Sequence, residues 1–380
     1  MLQAAVRWMH IPNISDFSRR KRENMKILTV VGARPQFIKA AVVSRLLRSE
    51  AQEILVHTGQ HYDYNMSDVF FEELDIPKPD YNLGISGGSH GAMTGNMLIA
   101  LEDVMKKEQP DRVLVYGDTN STLAAALAAV KLHIPVLHVE AGNRFGTLDS
   151  PEEVNRICTD HVSTVLMPCT ESSMRFLETE GLGAKSHVIG DPMYDAFLYY
   201  GEKRSAQQLD DLIDFNGKQI SCPDEYYYMT CHRQENTDTD EKLGGLLAAM
   251  EQLDAPTIYP VHPRNRERAI RICAEKNFCN ILLVQPVGYL SSVALVKGAK
   301  KIVTDSGGVQ REAFFAQKPC VTVLDFVVWP ETMSRNCNQL AKPNAEILEK
   351  LSKEISFDPD YRPFGDGHSG EKIVKLILES

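Results

Sequence analysis

Three acidic residues stand where proton transfer could be done. Asp118 closes the strand-like run RVLVYGD (112–118), Glu140 lies at the end of the strand in PVLHVEAG (135–142), and Glu152 opens a helix in SPEEVNR (150–156). Paired carboxylates at strand ends can serve as base and acid toward a substrate lying between them. Each could equally cap the turn that follows it. In SPEEVNR, Ser150 and Glu153 fit a capping box, with Pro151 at the first helical position. That pattern gives Glu153 to the helix start. It leaves Glu152 free, with Arg156 four residues on as its ion-pair partner.

A second set of residues suits an anion. TDSGGVQREA (304–313) follows a strand and opens a helix. Gly307 and Gly308 let backbone N–H groups approach a ligand, and a helix N-terminus favours negative charge, so a diphosphate fits there. The plainer reading is that Asp305 or Ser306 only caps the helix. Glu312, four residues after Gly308 on the same face, could accept from sugar hydroxyls or be a solvated charge. In GARPQFIK (32–39), Arg34 and Lys39 flank a strand-to-helix turn, where two cations can hold phosphate. His232 and His262 end two later strands, in CHRQEN and VHPRNR, each close to an Arg. Their placement points to a ligand-facing role. No nearby partner gives either histidine the usual metal-ligand spacing, so no metal is expected.

These residues need a frame. From Met25 onward, apolar β-branched runs alternate with helical patterns: KILTVVG (26–32), a helix over 35–49, EILVHTG (53–59), a helix near 92–107, RVLVYGD, a helix over 121–132, then PVLHVEAG, a helix near 151–161 and TVLMPCT (164–170). A polar stretch, 196–224, contains Gly217 and Pro223, which places a linker near 195–205. The alternation restarts with YYYMTCH (226–232), TIYPVHP (257–263), ILLVQP (281–286), KIVTDSGG (301–308) and CVTVLDF (320–326). The pattern predicts two doubly wound α/β domains with a cleft between the carboxyl ends of their strands. Neither G-x-G-x-x-G nor G-x-x-x-x-G-K-[ST] is present, which argues against a dinucleotide cofactor and a P-loop.

Composition narrows the partners. The 380 residues are 43% hydrophobic and carry a formal net charge of -10, which disfavours nucleic acid. No apolar run reaches the roughly 20 residues of a membrane span. Eight cysteines without a C-x-x-C pair suit a reducing, cytoplasmic compartment. Residues 1–24, with Arg19, Arg20, Lys21 and Arg22, are expected to form a disordered extension.

Taken in order, GARPQFIK, HTGQH, YGDTNST, HVEAG, PEEVNR, CHRQEN, PVHPR, TDSGGVQREA and WPET resemble the motifs of the non-hydrolysing UDP-N-acetylglucosamine 2-epimerases, from about Met25 to the C-terminus. The resemblance implies a GT-B-like fold. Its N-terminal domain would span 25–198 and be rejoined by a C-terminal helix at about 368–380, and its UDP-binding domain would span 199–367. It implies catalytic roles for Asp118, Glu140, Glu152, His232 and Arg156. Substrate contacts would come from Arg34, Lys39, Ser306, Gly307, Gly308, Glu312 and His262, with Gln60 as a regulatory position. It also implies a UDP-sugar substrate, no cofactor, a homodimer and a place in cell-surface polysaccharide synthesis. Asp63 and His90 differ from the residues that accompany Gln60 in substrate-activated relatives.

The chain departs from the family pattern at Gln36, at Asn143 and Phe145 (EAGNRF), at Ser292, where many members put an aromatic against the uracil, and at Trp329, which replaces an arginine before Pro-Glu. EAGNR also occurs in relatives acting on UDP-2,3-diacetamido-glucuronate. Other rivals are a hydrolysing 2-epimerase, a GT-B glycosyltransferase and a non-catalytic UDP-sugar sensor. Carbon 2 of the sugar has no adjacent carbonyl to acidify its proton. With no dinucleotide fingerprint, the fitting chemistry is expulsion of UDP to a 2-acetamidoglucal, reprotonation on the opposite face, and re-addition. That needs two proton-transfer sites and a stabilised leaving group.

Overall fold

The computed structural model describes residues 25–60, 71 and 73–380. The expected extension 1–24 and Asp63 lie outside the described residues. In the first half come β1 (Lys26–Val31), α1 (Arg34–Leu47), β2 (Gln52–His57), β3 (Tyr81–Asn82), α2 (His90–Glu108), β4 (Arg112–Tyr116), α3 (Asn120–Lys131), β5 (Val136–Val139), α4 (Pro151–Val162), β6 (Val165–Met167) and α5 (Glu171–Thr179). After them come α6 (Pro192–Tyr200), β7 (Tyr227–Thr230), α7 (Asp240–Glu251), β8 (Thr257–Pro260), α8 (Arg266–Glu275), β9 (Ile281–Val284), α9 (Tyr289–Gly298), β10 (Ile302–Thr304), α10 (Gly307–Phe315), β11 (Cys320–Thr322), β12 (Asn338–Leu340), α11 (Glu346–Ser352) and α12 (Ser369–Glu379).

Two six-stranded parallel sheets result, ordered β3-β2-β1-β4-β5-β6 and β12-β11-β10-β7-β8-β9. Helices cover both faces, so the strands read as continuous apolar runs; Ile27, Leu28, Val30 and Val31 of β1 are all fully buried. The strand order reverses between β1 and β4 in one sheet and between β10 and β7 in the other. Loops leaving such neighbours diverge and open a crevice. The loops concerned carry Gly32–Arg34, Gly117–Asp118, His232 and Asp305. At Gly32 a Cβ would lie 2.2 Å from Ser121 Oγ and 2.3 Å from Thr58 Oγ1, so only glycine lets the chain leave β1 past the start of α3.

The stretch near 195–205, where a linker is expected, begins inside α6 and is irregular after Tyr200. Asp191 caps α6 by accepting from Met193 N at 2.9 Å, Pro192 takes the first turn, and Phe197 and Tyr200 bury their rings in the core. This apolar turn outweighs the polar composition that follows it. The C-terminal α12 packs on α1 and α6 through buried Ile373, Val374 and Ile377, and its start is held by Asp195 Oδ2, 2.8 Å from Gly370 N. Among the described residues, no helix is long and apolar enough to cross a membrane.

Candidate active site

The ends of β4 and β5, the start of α4 and the loops after β7 and β10 wall one cavity of about 350 Å³. Lys39, Asp118, Glu140, Glu152 and Arg156 face it from the first half, and His232, Ser306, Gly307 and Gly308 from the second. A neighbouring cavity of about 190 Å³ is lined by Arg34, Tyr228, Pro286, Val287, Ser292 and His262. His232 borders both. The departure at Ser292 therefore sits in the smaller cavity, where its Oγ lies 3.0 Å from the Tyr228 hydroxyl.

Glu140 is held in an unusual way. Its φ is +66°, a left-handed conformation that costs a non-glycine residue about 1–3 kcal/mol. Its carboxylate Oε2 sits 2.6 Å from Lys39 Nζ and 2.9 Å from Arg311 Nη1. Burial alone would raise this carboxyl, but the two cations outweigh it and hold the value down to about 2. Lys39, expected beside a phosphate, is thus paired with Glu140. Arg311 Nη1 also donates to Asp191 Oδ2 at 2.6 Å. Ligand atoms of Glu140, Cys169 and Asp191 lie within 4.8 Å of one another, a spacing that could suit a metal. Lys39 and Arg311 already supply the positive charge there.

Asp118 pairs with Arg156, whose Nη1 also donates to Glu153 Oε2 at 2.8 Å. The expected Glu152–Arg156 pair does not form. Arg156 is buried and turned inward, where desolvation of its charge calls for the two facing carboxylates, while Glu152 is exposed and accepts from Ser150 Oγ at 2.7 Å. The capping box does not form either. Ser150 makes no side-chain cap. Glu153 Oε1 instead accepts from Phe145 N at 2.9 Å and Gly146 N at 3.1 Å, folding the loop after β5 against α4. Phe145, one of the departures, stacks on the Arg156 guanidinium, 4.5 Å from ring centroid to Cζ, and meets Phe326 of the second half at 5.5 Å.

On the other wall, Asp305 Oδ2 accepts from the backbone N–H of His232 and of Arg233, and its Oδ1 lies 3.1 Å from His232 Nδ1. Burial would raise Asp305, but the His232 contact and these amides hold it below the usual range. The ring of His232 lies near-parallel to that of His262 at 6.1 Å. Burial first, then His232, Arg264 and Arg34, push the His262 imidazole below its ordinary value, which favours its neutral form. Ser306 caps α10 by accepting from Val309 N. A Cβ on Gly308 would meet only Ser306 Oγ, at 3.6 Å, so the space before this helix is left for something other than protein.

Two expected residues face neither cavity. Glu312 is a buried residue of α10, and burial raises its carboxyl to about 8, with Arg311 opposing. Gln60 accepts from Ser121 N and Oγ at 3.1 and 2.7 Å, fixing the start of α3. Arg311 and Asp191 escaped the sequence reading. Arg311 lies four residues after Gly307, so the helical-face argument applied to Gly308 and Glu312 would have found it. Asp191 precedes a proline, a pattern that reads as a helix cap and hides a second role.

A family model described as UDP-N-acetylglucosamine 2-epimerase matches residues 45–378. The chain is 47% identical to a UDP-N-acetylglucosamine 2-epimerase homolog of Methanococcus maripaludis, covering 93% of this chain and 99% of that one. It is 42% identical to the UDP-2,3-diacetamido-2,3-dideoxy-D-glucuronate 2-epimerase of Pseudomonas aeruginosa, covering 93% and 100%. The structure superposes on the Methanocaldococcus jannaschii UDP-GlcNAc 2-epimerase, solved with UDP-GlcNAc and UDP, with a TM-score of 0.82 and 38% identity over 94% of this chain and 100% of that one.

Proposed function

Because the chain belongs to the UDP-N-acetylglucosamine 2-epimerase family, we propose that its cleft inverts carbon 2 of UDP-N-acetylglucosamine, giving UDP-N-acetylmannosamine through a 2-acetamidoglucal held beside UDP. The observation that carries this reading is the shared cavity: three carboxylates on one wall, and a histidine and an open helix start on the other. UDP lies with its uridine in the smaller cavity, near Arg34 and His262, and its diphosphate at His232 and the Ser306–Gly308 helix start.

The step balances without redox. A base takes the carbon 2 proton, the C1–O bond breaks with its electron pair leaving on UDP, and a C1=C2 double bond forms. A proton then returns to the opposite face of carbon 2, and the UDP oxygen re-adds to carbon 1. Glu140, held ionised by Lys39 and Arg311, makes a poor proton donor and suits a fixed anion beside the electron-poor carbon 1. Asp118 and Glu152 then carry protons on the two faces, with Arg156 orienting Asp118.

Charge supports a neutral sugar. Each cation on the larger cavity already faces an acceptor: Lys39 on Glu140, Arg156 on Asp118 and Glu153, Arg233 on Glu235 and the Asp305 carbonyl, Arg311 on Glu140 and Asp191. A carbon 6 carboxylate would enter that cavity against cations already engaged by carboxylates or a carbonyl. Asn143, buried in the cavity wall, favours a second reading, the UDP-2,3-diacetamido-glucuronate sugar. Side-by-side turnover of the two UDP-sugars decides between them. Faster turnover of UDP-N-acetylglucosamine supports the first, and turnover of the uronate alone establishes the second.

A homodimer and a cytoplasmic setting complete the proposal. Ile99 of α2, Val130 of α3 and Val154 of α4 leave apolar side chains exposed on helices that pack side by side, which a second copy of this chain could cover. The eight cysteines are all unpaired, as suits a reducing compartment. Sedimentation of the purified protein as a monomer would remove the dimer.

A further inference from the structure

Arg311 belongs to the second half of the chain, and its charged partners belong to the first. It lies on α10, one helical turn beyond the Ser306–Gly308 start where the diphosphate is placed. Its Nη1 bridges Glu140 Oε2 at 2.9 Å and Asp191 Oδ2 at 2.6 Å. Its guanidinium lies over the Trp329 ring, 4.2 Å from the centroid. Trp329 is the residue that stands in place of an arginine, so the ring leaves a flat apolar face that a guanidinium from another element covers. The residue is 3% exposed, faces the larger cavity, and keeps a buried Nε with no hydrogen-bond partner among the described residues.

The charge balance makes this residue hard to replace. Two buried carboxylates, Glu140 and Asp191, face two buried cations, Lys39 and Arg311. Without Arg311 a single lysine, paired with Glu140, would remain. Asp191 also caps α6 and is fixed there, so Arg311 is braced on Asp191 while it holds Glu140 with the other bond. A helix turn is stiff, so a displacement at Gly307 is carried to Arg311 within four residues. Resting on the reading that the diphosphate docks at this helix start, we infer that Arg311 is a positioning residue that couples an occupied diphosphate site to the placement of Glu140. UDP sets α10, α10 sets Arg311, and Arg311 sets the carboxylate against the sugar.

The test uses the full chain with Arg311→Met, Arg311→Lys, Glu140→Gln and the double variant that combines Arg311→Met with Glu140→Gln. Melting curves first show which variants fold; Arg311→Lys keeps the charge and stands in if Arg311→Met does not. Arg311→Met is expected to lose about 10²-fold or more in kcat on UDP-N-acetylglucosamine, with KM within a few-fold of wild type and partial recovery in Arg311→Lys. In the double variant the two losses are expected to be far from multiplicative, because one acts through the other. Multiplicative losses, or a kcat for Arg311→Met above a tenth of wild type, overturn the inference. The same cycle is read in UDP affinity by calorimetry, which needs no turnover. Glu140→Gln is expected to shift that affinity in the wild-type background and to leave it unchanged in the Arg311→Met background; equal shifts in both overturn the coupling. Wild-type protein that binds UDP but does not turn over this sugar defeats the proposed substrate while leaving the affinity cycle to judge Arg311.

Discussion

His138 Nδ1 lies 2.7 Å from Asp160 Oδ1, and both residues are fully buried. The other ring nitrogen, Nε2, is 2.6 Å from the carbonyl oxygen of Gly117, next to Asp118. Asp160 Oδ2 meanwhile accepts from Gly142 N at 3.1 Å, two residues after Glu140. One histidine–aspartate pair therefore ties together the two loops that carry the first-wall carboxylates.

This tether has a measurable consequence. His138→Phe fills the ring's space but takes the ring partner from the Gly117 carbonyl and from Asp160 Oδ1, while Asp160 Oδ2 keeps Gly142 N and Arg144, at a cost of about 1–3 kcal/mol in stability. Turnover should fall more than UDP affinity, because the second wall is untouched. Full turnover per folded molecule would show that the loops hold their places without it.

Glu152 and Glu153 are neighbours with opposite settings. Glu152→Gln should melt like wild type, since its carboxylate is exposed and rests on the Ser150 hydroxyl, while losing about 10²–10⁴ in rate if it carries a proton. Glu153→Gln weakens a buried pair with Arg156 and the brace on the Phe145–Gly146 backbone, so it should lose both stability and activity. Melting curves and initial rates for the pair decide this. Normal melting of Glu153→Gln would refute the brace.

The frame of this site was readable in the sequence, and its wiring was not. Alternating apolar runs and helical patterns are local signals, so strand ends and the residues on them, Asp118, Glu140, His232 and Ser306, could be placed from spacing alone. Pairing across the cleft is non-local. Nothing near Lys39 in sequence announces Glu140, far along the chain, and nothing near Arg311 announces Asp191. The capping-box reading of Ser150 and Glu153 failed for a different reason: the loop amides of Phe145 and Gly146, a few residues upstream, took the Glu153 carboxylate in place of the helix start.

Glu312 offers a prediction in pH. Its folded value, about 8, is above the ordinary carboxyl value of 4.5, so the native state favours its neutral form. The stability this contributes is fully present below about pH 4.5 and falls as pH rises toward 8, at about 1.4 kcal/mol per unit. Glu312→Gln stays neutral and escapes that fall. Its melting temperature relative to wild type should therefore rise between pH 5 and pH 8, and a constant difference would contradict burial as the cause.

The helix start at Gly308 can be probed by filling it. Gly308→Val introduces a side chain into space that no protein atom occupies closely, so the fold should survive. Removing a charge-assisted contact typically costs about 1.5–3 kcal/mol, which corresponds to about tenfold or more in UDP affinity. Arg34→Ala, in the smaller cavity, should weaken UDP by a similar factor. Calorimetric titration showing wild-type affinity in both variants would remove UDP from this pair of cavities.

On the proposed route carbon 2 loses its proton and regains one while UDP stays in the cleft. NMR of UDP-N-acetylglucosamine incubated with the protein in D₂O, with no nicotinamide added, reads this directly. The expected product is UDP-N-acetylmannosamine carrying deuterium at carbon 2, with UDP returned to carbon 1 rather than accumulating. Product that retains hydrogen at carbon 2, or stoichiometric release of UDP with free N-acetylmannosamine, would contradict it.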